Sequence, residues 1–186
     1  MAGYIFSLDN ENSLRFCIEN GIYSTYLSHP SNNRWRIHHE GTFGDYATMK
    51  EGDNIYFFID RKIYGIGTLI NINGDCKFNN YPSSTLPIIQ DFEDIKDDML
   101  LNDNEKNLNN RWICIFEPNP NFFKIGIDMD DVLASKPESF RMLRAFWKLS
   151  FIKIDDEENK ALKDIILKRN EEYINSQNTN YIFQYD

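Results

Sequence analysis

Residues 52–73 carry the pattern that most restricts how this chain can fold. Ile55-Tyr56-Phe57-Phe58-Ile59 is an unbroken apolar run rich in β-favouring residues, Asp60-Arg61-Lys62 is a tight polar turn, and residues 63–72 form an apolar return punctuated by Gly65 and Gly67. A short apolar run bounded by turn residues reads as a buried strand, and the return reads as its antiparallel partner. Glycines inside a strand mark a bulge or a close approach by another backbone. The segment predicts a β-hairpin at the centre of the fold.

The flanking chain supplies further strands and then helices. Tyr4, Ile5 and Phe6 mark a strand over residues 3–8, followed by the polar turn Asp9-Asn10-Glu11-Asn12. Leu14, Cys17 and Ile18 at i, i+3, i+4 predict a helix over residues 11–20, with Asn10 or Asn12 as N-cap and Gly21 at the C-cap position. Residues 34–39 and 111–116 read as strands, and 122–127 as one more. Residues 73–110 are long, polar and without sustained period, which marks a functional or mobile loop. Beyond Asp128, Asp130 and Asp131 the chain turns helical. Pro137 opens one helix, and Asp155 to Glu158 gives a capping-box start to another striped by Leu162, Ile165, Ile166 and Tyr173. The order predicts an α+β domain built on a curved, partly closed, barrel-like sheet with helices at both ends. Residues 1–174 are expected to form this single domain, and 175–186 a polar tail or a short final strand.

Composition narrows the function classes. The chain of 186 residues has 41% hydrophobic and 15% aromatic content, enough for a sizeable core. Its net charge of −9 argues against a general nucleic-acid binder, because phosphate contacts supply most non-specific affinity. No run reaches the roughly 18 apolar residues of a membrane span, and no secretory signal pattern is present, so a cytoplasmic location is expected. The three cysteines, Cys17, Cys76 and Cys114, are widely spaced without a CxxC, and read as reduced thiols. Asp128, Asp130 and Asp131 lack the spacing and glycine of a calcium loop and read as a helix-start cluster. Nucleophile-elbow, P-loop and zinc-deaminase signatures are missing. A binding module is expected, not an enzyme, with no cofactor and no metal.

Two features in order resemble the YTH and EVE families of the PUA-like superfamily. The strand, Asn-rich turn and helix leading to Gly21-Ile22-Tyr23-Ser24-Thr25 resemble the YTH opening and its Gly-(apolar)-Trp-Ser-Thr motif. Met49-Lys50-Glu51-Gly52-Asp53 and the hairpin after it resemble the common PUA-like element, and Trp112 resembles a tryptophan on a late core strand. The resemblance implies a reader of methylated bases, with N6-methyladenine as the YTH ligand, of the kind that targets modification-dependent restriction systems alongside a nuclease or motor. It implies that Tyr23 stacks the flipped base, that Ser24 helps fix it, and that Asn10, Asn12 or Asp9 reads its edge. Tyr81 and Phe92, with Phe78 behind them, are the nearby substitutes for the second cage aromatic. Lys50 joins the groups contacting the nucleic-acid backbone.

The residues themselves keep plainer readings open. Tyr23 is equally a core tyrosine at a helix exit, and Asn10 and Asn12 are equally caps. Trp35 lies among Arg34, Arg36, His38 and His39, a mixture suited to bases and phosphates or to a solvated strand face. A PUA-like RNA-binding module and a protein-interaction domain remain alternatives. The first would read 2′-hydroxyls, the second would use the acidic surface and long loop.

Overall fold

The expected hairpin is present as β3 (Asn54–Ile59) and β4 (Lys62–Leu69). Its two-residue turn places both Asp60 (φ 45°) and Arg61 (φ 65°) in the left-handed region, the geometry that matches the twist of paired strands. Phe57 opposes Gly65 while Phe58 opposes Ile63, so Tyr64 is the extra residue of a bulge beside the first glycine. These elements belong to a computed structural model that describes residues 1–26, 37–72, 74–79, 111–119, 125–140 and 151–177. The chain divides into two compact units: Met1–Glu19, Asp53–Thr68 and Glu117–Asp186 form the first, Asn20–Gly52 and Leu69–Phe116 the second.

In the first unit, β1 (Gly3–Ser7) lies parallel to β3, with Gly3 opposite Asn54 and Ser7 opposite Phe58. Residues 151–154, which the sequence reads as part of a helical region, instead form strand β8 (Phe151–Ile154), antiparallel to β1. The short β7 (Ile127–Asp128) pairs with the start of β4. Ile5, Tyr56, Ile152 and Ile154 pack with Ile63, Ile66, Met129, Val132, Phe140, Leu162 and Ile166 in one core. Tyr4, Phe6, Ile55 and Phe57, alternating with Ile5 and Tyr56, are fully buried as well. Burial on both faces explains why these strands lack a polar–apolar alternation.

Helix ends in this unit follow the sequence closely. α1 (Glu11–Asn20) buries Leu14, Cys17 and Ile18. α3 (Met129–Ser135) is capped by Asp128, whose Oδ1 accepts from the backbone N–H of Asp130 at 2.8 Å and Asp131 at 3.3 Å. Arg61 pairs with Asp130 through both carboxylate oxygens, which ties the hairpin turn to α3. α4 (Asp156–Gln177) starts from Asp155, whose Oδ1 accepts from the N–H of Glu158 at 2.8 Å. It buries Leu162 and Ile166 and continues through Asn175, Ser176 and Gln177.

The second unit holds β2 (Ile22–Tyr26), α2 (Ile37–Ala47), β5 (Lys77–Asn79) and β6 (Arg111–Pro118). β6 is flanked by antiparallel β2 and β5. Gly21 enters β2 at φ +61°, and a Cβ there would lie 2.7 Å from the Phe116 carbonyl oxygen, so the site requires glycine on two counts. Two sequence expectations fail here. Residues 37–39 are helical, not extended. The region from 73 onward, read as loop, contains β5, introduced by Gly74 (φ +105°) and the Ile72–Asp75 bridge.

Candidate functional site

The polar end of β1 is built as the sequence implies. The Leu8 N–H donates to the Phe58 carbonyl at 2.8 Å, continuing the β1–β3 ladder to the point where Asp9 emerges. Asn10 is the cap: its Oδ1 accepts from the Ser13 N–H at 3.0 Å, and its carbonyl accepts from the Leu14 N–H at 3.2 Å. Asp9, Asn10 and Asn12 are all exposed. Capping occupies the oxygen of the Asn10 amide and leaves its Nδ2 as the group able to donate to a ligand. Asp9 offers acceptor oxygens in the same turn.

Tyr23 is set differently. It lies in β2 at 4% exposure, in one cross-strand row with Cys114 of β6 and Lys77 of β5. Its ring is packed in the second unit, and stacking a base on it would require that packing to open. Ser24 pairs with Ile113, and Trp112 stands between Thr25 and Asn79 in the register of the three strands. Arg34, Trp35, Arg36, Tyr81 and Phe92 lie outside the described residues. His38 and His39 sit in the first turns of α2, so the expected strand-face cluster of aromatic and basic residues is not formed by these two. Lys50 is exposed, three residues before Asp53 and four before the start of β3. Asp9, Asn10 and Asn12 thus share the first unit, while Tyr23, Ser24 and Lys50 share the second.

The sequence reading passes over an interior ion pair in the second unit. Lys77 Nζ lies 2.9 Å from both carboxylate oxygens of Asp75 and 3.2 Å from the Met49 carbonyl oxygen, and both side chains are 8% exposed. Asp75 Oδ1 also accepts from the Cys76 N–H at 2.6 Å. Asn73-Gly74, followed by an acid and a lysine two apart, is the signal that could have found it, since Asn-Gly is the strongest short hairpin cue.

All three cysteines are buried and outside any disulfide. Burial pushes Cys17 from 9.0 up to about 11 and Cys76 from 9.0 up to about 12. Burial, and then the Asp164 carboxylate, also raises the Tyr56 phenol well above its ordinary 10.0. A raised folded-state value stabilises the fold below the unfolded value, and that contribution is lost as pH rises past it. Stability is therefore expected to fall from about pH 9 upward, and the thiols to resist a disulfide reagent at pH 8 until denaturant is added. Rapid labelling of two or more thiols in the native protein would contradict this burial. Among the described residues no group of three or more His, Cys, Asp or Glu side chains could hold a metal ion, and no helix is long and apolar enough to cross a membrane.

No protein-family model matches the sequence, and no curated protein matches it. Solved structures do match. A hypothetical protein from Leishmania major is similar over 93% of this chain and 96% of its own, at 11% identity and a TM-score of 0.53. A Rhodopseudomonas palustris protein solved by NMR is similar over 90% and 94%, at 15% identity and a TM-score of 0.50. Human THYN1, in complex with DNA containing 5-methylcytosine, is similar over 92% and 98%, at 10% identity and a TM-score of 0.50. At these identities the likeness is one of fold. The chain shares an α+β fold with these structures, the fold class its sequence predicts.

Proposed function

We propose that this protein is a nucleic-acid-binding module that reads a methylated base, on DNA in preference to RNA, and is not itself an enzyme. The observation that carries the reading is the likeness over 92% of the chain to a protein in complex with methylated DNA. The exposed Asp9 and Asn10 at the strand-to-helix turn support it, because they offer the acceptor and donor that a base edge needs. A placement closer to the YTH and EVE families, a flipped base, N6-methyladenine as ligand, and a restriction setting with a nuclease or motor partner belong to the same proposal. A cytoplasmic site of action suits three cysteines that form no disulfide.

Binding energy at such a site divides unevenly. Stacking a base contributes roughly 1–3 kcal/mol, while burying one methyl adds only about 0.8 kcal/mol, a selectivity of about fourfold. Stronger discrimination has to come from easier extrusion of a weakly paired base, or from polar groups left unpaired when the methyl is absent. Asp9 accepts from an exocyclic amine, which N6-methyladenine and 5-methylcytosine both carry.

The test is a binding panel of methyladenine, methylcytosine and unmodified oligonucleotides, as DNA and as RNA, at two salt concentrations. One methylated DNA should bind more tightly than its unmodified counterpart, and Asp9→Asn should weaken that complex while leaving the fold intact. Tyr23 is best probed as Tyr23→Phe, since truncation of so buried a ring would unfold the second unit. Equal affinity for methylated and unmodified DNA would sink the proposal. Tighter RNA binding without any response to methylation would favour the RNA-binding alternative.

A further inference from the structure

The segment joining α2 to β3 forms an exposed corner that is pinned at both ends within the second unit. Met49 is 1% exposed; its N–H donates to the Tyr46 carbonyl at 3.2 Å, and its carbonyl accepts from Lys77 Nζ at 3.2 Å. At the other end Gly52, at φ +88°, donates its N–H to the Leu69 carbonyl at 2.8 Å. Lys50 and Glu51 lie between these anchors and are exposed. The Lys77 ammonium has three donors, and three acceptors surround it: two oxygens of Asp75 and the Met49 carbonyl.

An interior ion pair is a poor route to stability, because apolar residues of similar volume often do as well or better. What the pair adds here is geometry. Asp75 aligns the ammonium, and the ammonium fixes the carbonyl of the peptide that leads into Lys50. We propose that Lys77, oriented by Asp75, is a positioning residue that holds the Lys50-Glu51 corner for contact with the phosphate backbone of DNA. Lys77 is too buried to touch a phosphate and acts through Met49. Lys50 supplies the charge, and Glu51 opposes it. This rests on the nucleic-acid-binding reading above.

The salt dependence of binding tests it. For duplex DNA each phosphate contact contributes about 0.9 to the slope of log affinity against log salt. The full chain and its variants are titrated with a methylated duplex oligonucleotide between low and moderate salt. Lys50→Gln should reduce the slope by about 0.9, and Glu51→Gln should tighten binding. The doubly neutral variant Asp75→Asn/Lys77→Met leaves no unpaired buried charge. It should fold, lose about the same slope as Lys50→Gln, and lose no more when Lys50→Gln is added. An unchanged slope in the folded double variant overturns the inference, as does an additive loss in the triple. Failure of the double variant to fold also overturns it, because the pair would then be a requirement of the fold. Absence of duplex binding by the unaltered protein sinks the nucleic-acid reading itself, whereas binding with a slope indifferent to Lys50→Gln sinks only this inference.

Discussion

Lys77→Met alone should destabilise the protein by about 3–5 kcal/mol, while Asp75→Asn/Lys77→Met should cost much less. The single change leaves the Asp75 carboxylate in the interior with the Cys76 N–H still donating to it, and strips the Met49 carbonyl of its ammonium partner. A buried charge without its counter-ion carries the full desolvation penalty, which is larger than the net worth of the intact pair. Neutralising both partners removes that penalty and sacrifices only the pair's modest net contribution. Urea unfolding of the two variants beside the parent measures the difference. The effect should persist in high salt, because ions screen buried pairs far less than exposed ones. Equal costs for the single and double variants would mean that the interior at Asp75 is already hydrated, and the reasoning from burial would fail.

That pair also marks where sequence reasoning stops. Lysine and aspartate are read as surface residues because isolated charges almost never lie fully buried, so Asp75 and Lys77 pass as parts of a polar loop. The three residues of β5 have no period of their own, and they become a strand only through pairing with β6 from far along the chain. β8 has the same character: four residues whose identity comes from β1. α2 hides for another reason. Gly41 and Gly44 each cost roughly 1 kcal/mol relative to alanine in a helix interior, and the histidines before them resemble an exposed strand face. By contrast, local chemistry decides the β1-to-β2 stretch. Asn10 caps, Leu14, Cys17 and Ile18 form the buried stripe, and Gly21 adopts the positive φ that ends the helix. The cap at Asn10 and the exposed turn around it were therefore legible. The burial of Tyr23 was not, because it depends on the row with Cys114 and Lys77 that only the folded sheet creates.

A second large effect is expected at Asn159, which joins β1, β3 and α4 from the interior of the first unit at 3% exposure. Its Oδ1 accepts from the Tyr56 hydroxyl at 2.6 Å and from Asn54 Nδ2 at 3.3 Å, while its own Nδ2 donates to the Met1 carbonyl at 3.0 Å. Asn159→Ala withdraws three partners at once. With each buried polar group left short costing about 1–3 kcal/mol, and the Tyr56 hydroxyl still able to reach the Asn159 backbone oxygen at 3.2 Å, a loss of about 3 kcal/mol is expected. Tyr56→Phe removes only one donor and should cost about 1 kcal/mol. Gly3 makes the assignment specific. A Cβ at Gly3 would fall 2.5 Å from Asn159 Oδ1 and 2.8 Å from Ile154 Cγ1, so Gly3→Ala should itself cost about 1–3 kcal/mol by overpacking. Removing the Asn159 amide relieves the closer of those two clashes. The two substitutions must therefore be non-additive, with a coupling on the order of 1 kcal/mol in a double-mutant cycle. Strict additivity would mean that β1 shifts away from α4 when either residue changes, and that the amide is a local contact and not the fixed link between strand and helix.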